Sequence, residues 1–265
     1  PRLYDMNGND VVERHARKVE ADVVLSLGNA TAFPAYAKTP WCAWSPINTK
    51  DMTKADGRAL RSARWVWAMS KHNEEIIRAA GIRCRYVPHG LDGKVFAPER
   101  RETARAALSA LLGADVGADR FVVLQVARNS PPPRKGFMEA FEAFSRFSSK
   151  RRDALLVVFS NTSKAPFGGD DLLRLANAFQ IENRVLFAPQ YEILTGQIGA
   201  RELASAYSAA DVYLSASHGE SFGLPMLEAQ LCGCPVVYPE NTAQREIGLA
   251  GFPVQCADYQ SPTGM

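Results

Sequence analysis

The sequence predicts an α/β protein built from doubly wound parallel sheets, and three observations predict it. Short, continuous apolar runs alternate with stretches of helical periodicity, the pattern of strands buried on both faces by helices. The segments richest in turn and polar residues follow the apolar runs, at the strand ends where such sheets bind ligands. The chain has 265 residues and is 46% apolar, long enough to bury the cores of two modest domains.

Taken in order, residues 22–27 (DVVLSL) read as a buried strand and 64–69 (RWVWAM) as another. Residues 71–80 read as a helix with Ser70 as N-cap and Gly81 as C-cap, and 84–87 as a short strand. The turn-rich run Pro88-His89-Gly90-Leu91-Asp92 follows, then an Ala/Leu/Arg helix from Ala97-Pro98-Glu99 to about Leu112 and a loop over 113–119. Residues 88–119 therefore read as the connection between two domains. The expected limits are a first domain over 1–98, a linker helix and loop over 99–119, and a second domain over 120–265.

The second half is more regular. Strands are expected at 121–126 (FVVLQV), 154–159 (ALLVVF), 185–187 (VLF), 212–214 (VYL) and 235–238. Helices are expected at 136–147, where Phe137, Ala140, Phe141, Phe144 and Phe147 share one face, and at 170–179, 200–209 and 224–231. No internal repeat is present.

Composition excludes several classes. The 31 Lys and Arg against 28 Asp and Glu leave a net charge of +3, too weak to argue for a nucleic-acid partner. The clusters Arg100-Arg101 and Lys150-Arg151-Arg152 read as solvated surface, with an acidic membrane face or a polyanionic acceptor as the alternative. No apolar run of about 18 residues exists, so no membrane span is expected. The opening Pro1-Arg2-Leu3-Tyr4-Asp5 is not a signal peptide, and it reads as the interior of a longer protein. Cys42, Cys84, Cys232, Cys234 and Cys256 are odd in number and irregular in spacing. They read as buried, reduced thiols of a cytoplasmic protein; Cys232-Gly-Cys234 is too tight for a zinc knuckle, and no His pair completes it.

The richest segment is 215–228, S-A-S-H-G-E-S-F-G-L-P-M-L-E. It leaves one strand and ends inside the next helix. Glu220 sits in the loop and Glu228 on the helix, with seven residues between them. Ser221, Phe222, Gly223 and Leu224 open the helix, where free backbone N–H groups suit an anion or a hydroxyl oxygen. Two carboxylates there suit a polyhydroxylated ligand, since each accepts hydrogen bonds from two hydroxyls. Spacing alone is a chance event, and a Glu near a helix start is ordinary.

The string G-E-S-F-G-L-P-M-L-E-A, followed by C-G-C-P-V-V, resembles the signature of family 4 glycosyltransferases of GT-B fold. The resemblance implies two Rossmann-like domains. Val126-Ala127-Arg128 and Arg134-Lys135-Gly136 match the family's Gly-Arg and Lys-Gly, with Ala127 in place of the usual Gly and a slightly longer loop between. In the family this Arg and Lys neutralise the donor diphosphate, which implies that role for Arg128 and Lys135. Pro88-His89-Gly90-Leu91-Asp92 with Phe96 resembles the segment leaving the first domain. Ala188-Pro189-Gln190-Tyr191 lies where the family packs the nucleobase, so Tyr191 is either a donor contact or plain packing. His218 either lines the cleft or is a polar loop residue.

The resemblance implies transfer of a sugar from a UDP-, GDP- or ADP-sugar to an acceptor hydroxyl with retention of configuration. Arg128, Lys135 and Glu220 would carry catalysis. Glu228, Ser221, Phe222, Gly223, Leu224 and Tyr191 would bind the donor, with Glu220 on the sugar hydroxyls and Glu228 on the ribose. No cofactor and no metal are implied, and no Asp-x-Asp signature is present. The family's Gly-rich loop near the start of the first domain has no counterpart before Asp22, so the first domain is expected to be incomplete. A nucleotide-sugar-binding module without transferase activity is the competing expectation, and an enzyme acting on a polyanion a third. The acceptor is not named by the sequence.

Overall fold

A computed structural model of the chain describes residues 9–33, 39–163 and 169–256. They form two compact units. The first holds residues up to His89 together with Gly219–Phe222, and the second holds Gly90–His218 and the residues from Gly223 onward.

The first unit carries a four-stranded parallel sheet in the order β1 (Val24–Leu27), β2 (Trp41–Trp44), β3 (Trp65–Ala68), β4 (Arg85–Tyr86). Helices α1 (Asn9–Lys18), α2 (Lys54–Ser62) and α3 (Lys71–Ala79) complete it. Its core is Trp41, Ala43, Leu60, Val66, Ala68 and Ile77. The Ser70 hydroxyl accepts from the Asn73 N–H and caps α3 as expected, while the cap at the other end is Ala80. Gly81 follows it at φ +72°, the left-handed turn that glycine adopts without penalty.

Two sequence expectations change here. Residues 22–27 were expected as a buried strand, yet Leu25 and Leu27 are more than half exposed. β1 lies at the sheet edge with only β2 beside it, and Ser26 is its buried position, accepting a 2.7 Å bond from Trp41 Nε1. The short β2 (WCAW) and the charged α1 and α2 had no expected counterpart. Tertiary pairing makes β2, and α2 carries a Gly57 that propensity alone disfavours.

The second unit is a six-stranded, all-parallel sheet in the order β10-β9-β8-β5-β6-β7. The strands are β5 (Phe121–Val126), β6 (Ala154–Phe159), β7 (Val185–Phe187), β8 (Val212–Leu214), β9 (Val236–Pro239) and β10 (Gly251–Val254). The first four match their expected limits; β6 is buried along its whole length and β5 along most of it, while β7 and β8 are short runs of apolar or aromatic residues that are only partly buried. Helices α4 (Arg101–Leu112), α5 (Phe137–Lys150), α6 (Leu172–Ala178), α7 (Gln190–Thr195), α8 (Ala200–Ala209), α9 (Leu224–Leu231) and α10 (Gln244–Ile247) alternate with them. The Phe137, Phe141 and Phe144 face of α5 packs on Val123, Leu156 and Val158. α7, α10 and β10 had no expected counterpart, being short or lacking a clear apolar period.

α4 belongs to this unit. Its Arg105 is 6% exposed and donates to the carbonyls of Ala209, Gly117 and Arg120 and to Asp211 Oδ2. Asp211 also accepts from Arg101 and from the Val122 N–H at the start of β5. The helix that the sequence places in a linker is thus fastened to the sheet by one buried guanidinium.

The strand order places a switch point. From β5 the chain winds outward to β6 and β7, then returns to the other side of β5 through β8, β9 and β10. The loops leaving β5 and β8 therefore diverge at adjacent strand ends, and that divergence opens a crevice at the carboxyl edge of the sheet.

Candidate donor site

β5 ends at Val126, and Arg128 follows exposed at the mouth of the crevice. Its neighbour Asn129 is 1% exposed and fixes the turn. Asn129 Nδ2 donates to the carbonyls of Asn161 and Asp170, and its Oδ1 accepts from the Asp170 N–H at 2.8 Å. Every polar atom of that side chain is used to hold the β5 exit against the loop after β6.

The chain then turns into α5 through Arg134-Lys135-Gly136. Gly136 has φ +64° and caps the helix, and a Cβ there would run into the Ala216 carbonyl. This glycine lets the loop after β8 come down onto the loop after β5. The contact is sealed by the His218 N–H donating to the Arg134 carbonyl at 2.8 Å, with Ser217 Oγ on the same oxygen at 3.3 Å. His218 Nε2 lies 2.8 Å from Glu139 Oε1 on α5, and this bond holds the Glu139 carboxyl below its ordinary value. His218 is thus placed by both its backbone and its ring as a brace between the two loops. Lys135, half-buried, sits within the braced corner.

α9 begins at Gly223, whose φ of +100° only glycine adopts readily. Leu224 is the first helical residue and Pro225 the second, both without need of an intrahelical N–H partner. Glu228 follows one turn later. Its Oε2 accepts a 2.8 Å bond from the hydroxyl of Tyr207 on α8. Burial raises the Glu228 carboxyl above its ordinary value, and the Tyr207 bond opposes that rise.

A cavity of about 440 Å³ opens at these strand ends. Its walls include Val126, Arg128, Phe159, Ser160, Glu192 and Pro225. Ser160 Oγ is buried without a hydrogen-bond partner among the described residues. Behind it Gln190 spends its whole amide on the framework: Oε1 accepts from the Thr162 N–H and hydroxyl, and Nε2 donates to the carbonyls of Ser160 and Ala188. A largely apolar cleft with a cation at its mouth and a few polar groups has the composition of a small-molecule site.

Of the residues singled out by sequence, Arg128 lines this cavity, while Lys135 and Glu228 are not among its walls; Glu228 stands on the helix whose second residue, Pro225, is. Tyr191 is 68% exposed and is not among the cavity's walls, whereas the next residue, Glu192, is. Glu220, Ser221 and Phe222 group with the first unit. There the Ser221 N–H donates to Asn48 Oδ1 at 3.1 Å. Phe222, 6% exposed, meets the His89 ring edge-on at 5.1 Å, and His89 lies over Trp44 at 4.5 Å. Burial pushes the His89 imidazole below its usual value. Sequence reasoning missed Asn129, Gln190 and Tyr207, whose hydrogen bonds run mainly to residues distant in the chain, and Ser160, whose place in the cavity no local pattern marks.

All five cysteines are free. Cys42, Cys232 and Cys234 are buried as expected, but Cys84 is only partly covered and Cys256 is exposed. Among the described residues no three His, Cys, Asp or Glu side chains gather as a metal-binding group. No described helix is long and apolar enough to cross a membrane.

The family described as glycosyl transferases group 1 matches residues 120–261, more than half of the chain. The chain belongs to the group 1 glycosyl transferases. It is 36% identical over 169 residues to a D-inositol 3-phosphate glycosyltransferase of Xylanimonas cellulosilytica, covering 62% of this chain and 37% of that protein. It is 30% identical over 177 residues to the protein of the same name from Mycolicibacterium smegmatis, covering 66% and 35%. The chain thus spans about a third of the length of these relatives. Among solved structures it resembles the sucrose-phosphate synthase of Thermosynechococcus elongatus, with a TM-score of 0.73 at 20% identity, over 96% of this chain and 66% of that one. It also resembles a glycosyltransferase of Rickettsia africae, with a TM-score of 0.68 at 17% identity, over 96% and 68%. The group 1 glycosyl transferase has the GT-B architecture of these neighbours, two parallel-sheet units flanked by helices.

Proposed function

We propose that this group 1 glycosyl transferase moves a sugar from a nucleoside diphosphate sugar to an acceptor hydroxyl, with retention of configuration and without a metal ion. The observation that carries the reading is the switch-point crevice. Arg128 stands at its mouth, Lys135 in the braced corner beside it, and Glu228 on the helix whose second residue lines the same cavity.

Each group then has a task. The C1–O bond to the diphosphate breaks, and the negative charge that grows on the departing phosphate is met by Arg128 and Lys135. Fixed cations aimed at developing charge lower the barrier without reorganising. Arg supplies a planar fork of donors and Lys a mobile point charge. The backbone N–H groups opening α9 at Gly223 and Leu224 add to the anion site. Glu228 accepts from the ribose hydroxyls, and Glu220 from those of the donor sugar. The acceptor oxygen forms the new bond to C1 on the face the diphosphate leaves, and its proton passes to the departing diphosphate oxygen. Ser221 and Phe222, held against Asn48 and His89, set the loop that carries Glu220, and Tyr191 flanks the nucleobase end.

The alternative is a donor-binding module without transfer. A thermal-shift screen with UDP-, GDP- and ADP-sugars tests binding, since a ligand selective for the folded state stabilises it. Release of nucleoside diphosphate, with D-inositol 3-phosphate in the acceptor panel, tests transfer. Stabilisation by one donor with acceptor-dependent release supports the enzyme. Stabilisation with no release supports the module, and no stabilisation by any of the three overturns both.

A further inference from the structure

We propose that Tyr207 is a positioning residue for the donor. It keeps Glu228 ionised and leaves one carboxylate oxygen for the ribose. The inference rests on the reading of Glu228 as the ribose-binding group and goes beyond it to what makes that group competent.

The geometry is specific. Tyr207 is fully buried, and its hydroxyl donates to Glu228 Oε2 at 2.8 Å. That bond occupies one oxygen and turns the carboxylate about its last torsion, so Oε1 is the oxygen left for a ligand. The ring of Tyr207 packs edge-on to Tyr213 at 5.9 Å, and the Tyr213 hydroxyl donates to the Val126 carbonyl at 3.2 Å. Val126 is the last residue of β5, two before Arg128. Two tyrosines thus connect the carboxylate helix to the strand end that presents the phosphate-binding arginine. A phenol is suited to this place. Its bulk fills the core, and its hydroxyl is a donor to a carboxylate, the strong class of hydrogen bond.

The electrostatics follow. Burial favours the neutral acid of Glu228, and a neutral acid is a poorer acceptor for two ribose hydroxyls than a carboxylate. A hydrogen bond donated to the charged form favours that form. Tyr207 itself stays protonated, because burial and the nearby carboxylate both raise its hydroxyl.

The experiment uses the 265-residue chain and follows binding of UDP, GDP and ADP by calorimetry from pH 5 to pH 8, beside the matching 2′,3′-dideoxynucleoside diphosphates. In the unaltered protein, binding of the ribonucleotide weakens as pH falls and Glu228 takes up its proton. Tyr207→Phe should weaken ribonucleotide binding at pH 7 about tenfold, the low end for a bond to a charged group. It should also move the acid limb to higher pH and leave dideoxynucleotide binding unchanged. Site-specific 3-fluorotyrosine at 207, a more acidic donor of nearly the same shape, should move the limb the opposite way, and it serves if the Phe variant does not fold. A purely structural Tyr207 would lower affinity equally at every pH and for both nucleotide forms; that outcome overturns the proposal and leaves the donor site standing. Absence of binding by the unaltered protein overturns the donor site and this proposal with it.

Discussion

Gly136→Ala, set against Gly113→Ala, measures the close approach that brings the two site loops together. Both glycines lie in the second unit at nearly the same left-handed φ, +64° and +61°. A methyl group at 113 meets nothing within 4 Å, whereas at 136 it meets the carbonyl, the carbonyl carbon and the Cβ of Ala216. The left-handed conformation costs an L-residue roughly 1–2 kcal/mol, and the reduced freedom of the unfolded chain returns about 0.4–1 kcal/mol. Gly113→Ala should therefore destabilise by about 1 kcal/mol. Gly136→Ala carries that cost plus a collision with backbone, which cannot rotate away. Overpacking of this kind adds about 1–3 kcal/mol, so a total of about 2–4 kcal/mol is expected. All four tryptophans, Trp41, Trp44, Trp65 and Trp67, lie in the first unit. Urea titration followed by far-UV circular dichroism reads both units, and tryptophan fluorescence, which reports the first alone, separates out the change in the second. The Gly136 variant should also bind nucleoside diphosphate more weakly, because Lys135 and the His218 brace move with it. Equal destabilisation by the two substitutions would refute the loop contact and the site geometry built on it.

Arg105→Ala should destabilise the second unit by about 3–5 kcal/mol, since it strips Asp211 and three carbonyls of a buried partner; Arg105→Lys should not rescue it, because an ammonium cannot reach four acceptors in a plane. Both are read from urea midpoints. Glu228→Gln should raise the melting temperature of the ligand-free protein at neutral pH while weakening nucleotide binding. The sign follows from its raised carboxyl: a carboxyl raised in the folded state contributes stability while protonated and loses it as pH rises through the folded value. The gain from the neutral amide should therefore vanish at acid pH, and a gain that persists there would exclude the burial cause. Arg128→Ala should lower turnover about 100-fold, the scale for losing one fixed donor to transition-state charge, and unchanged turnover would remove Arg128 from the phosphate site. Glu220→Gln should lower the rate of transfer more than the affinity for bare nucleoside diphosphate, and an equal loss in both would place Glu220 on the nucleotide instead.

What was legible in the sequence follows from which forces are local. The strands β5, β6, β7 and β8 could be read to the residue because strands of a sheet flanked by helices are apolar nearly throughout, a constraint written in consecutive letters from which Gln125, buried in β5, departs. β1 could not be read the same way. The run DVVLSL looks buried, but the strand lies at the edge of its sheet, with Leu25 and Leu27 exposed, Val24 packed partly against the core and the polar Ser26 turned inward to a tryptophan fifteen positions away. The turn glycines of the site were visible as motif letters, and the structure supplies their reasons: Gly223 for its φ, Gly136 for the carbonyl that passes over it. The carboxylate Glu228 was visible too, as one of a pair. Its competence was not, because that depends on Tyr207, which lies 21 residues earlier and on another helix. The same holds for Asn129 and Gln190, ordinary polar letters whose hydrogen bonds run mainly to the loop that follows β6. Residues that would touch a ligand recur in a fixed local frame, so a linear pattern can carry them. Residues that hold those groups in their working charge and orientation are chosen by the fold, and only the fold identifies them.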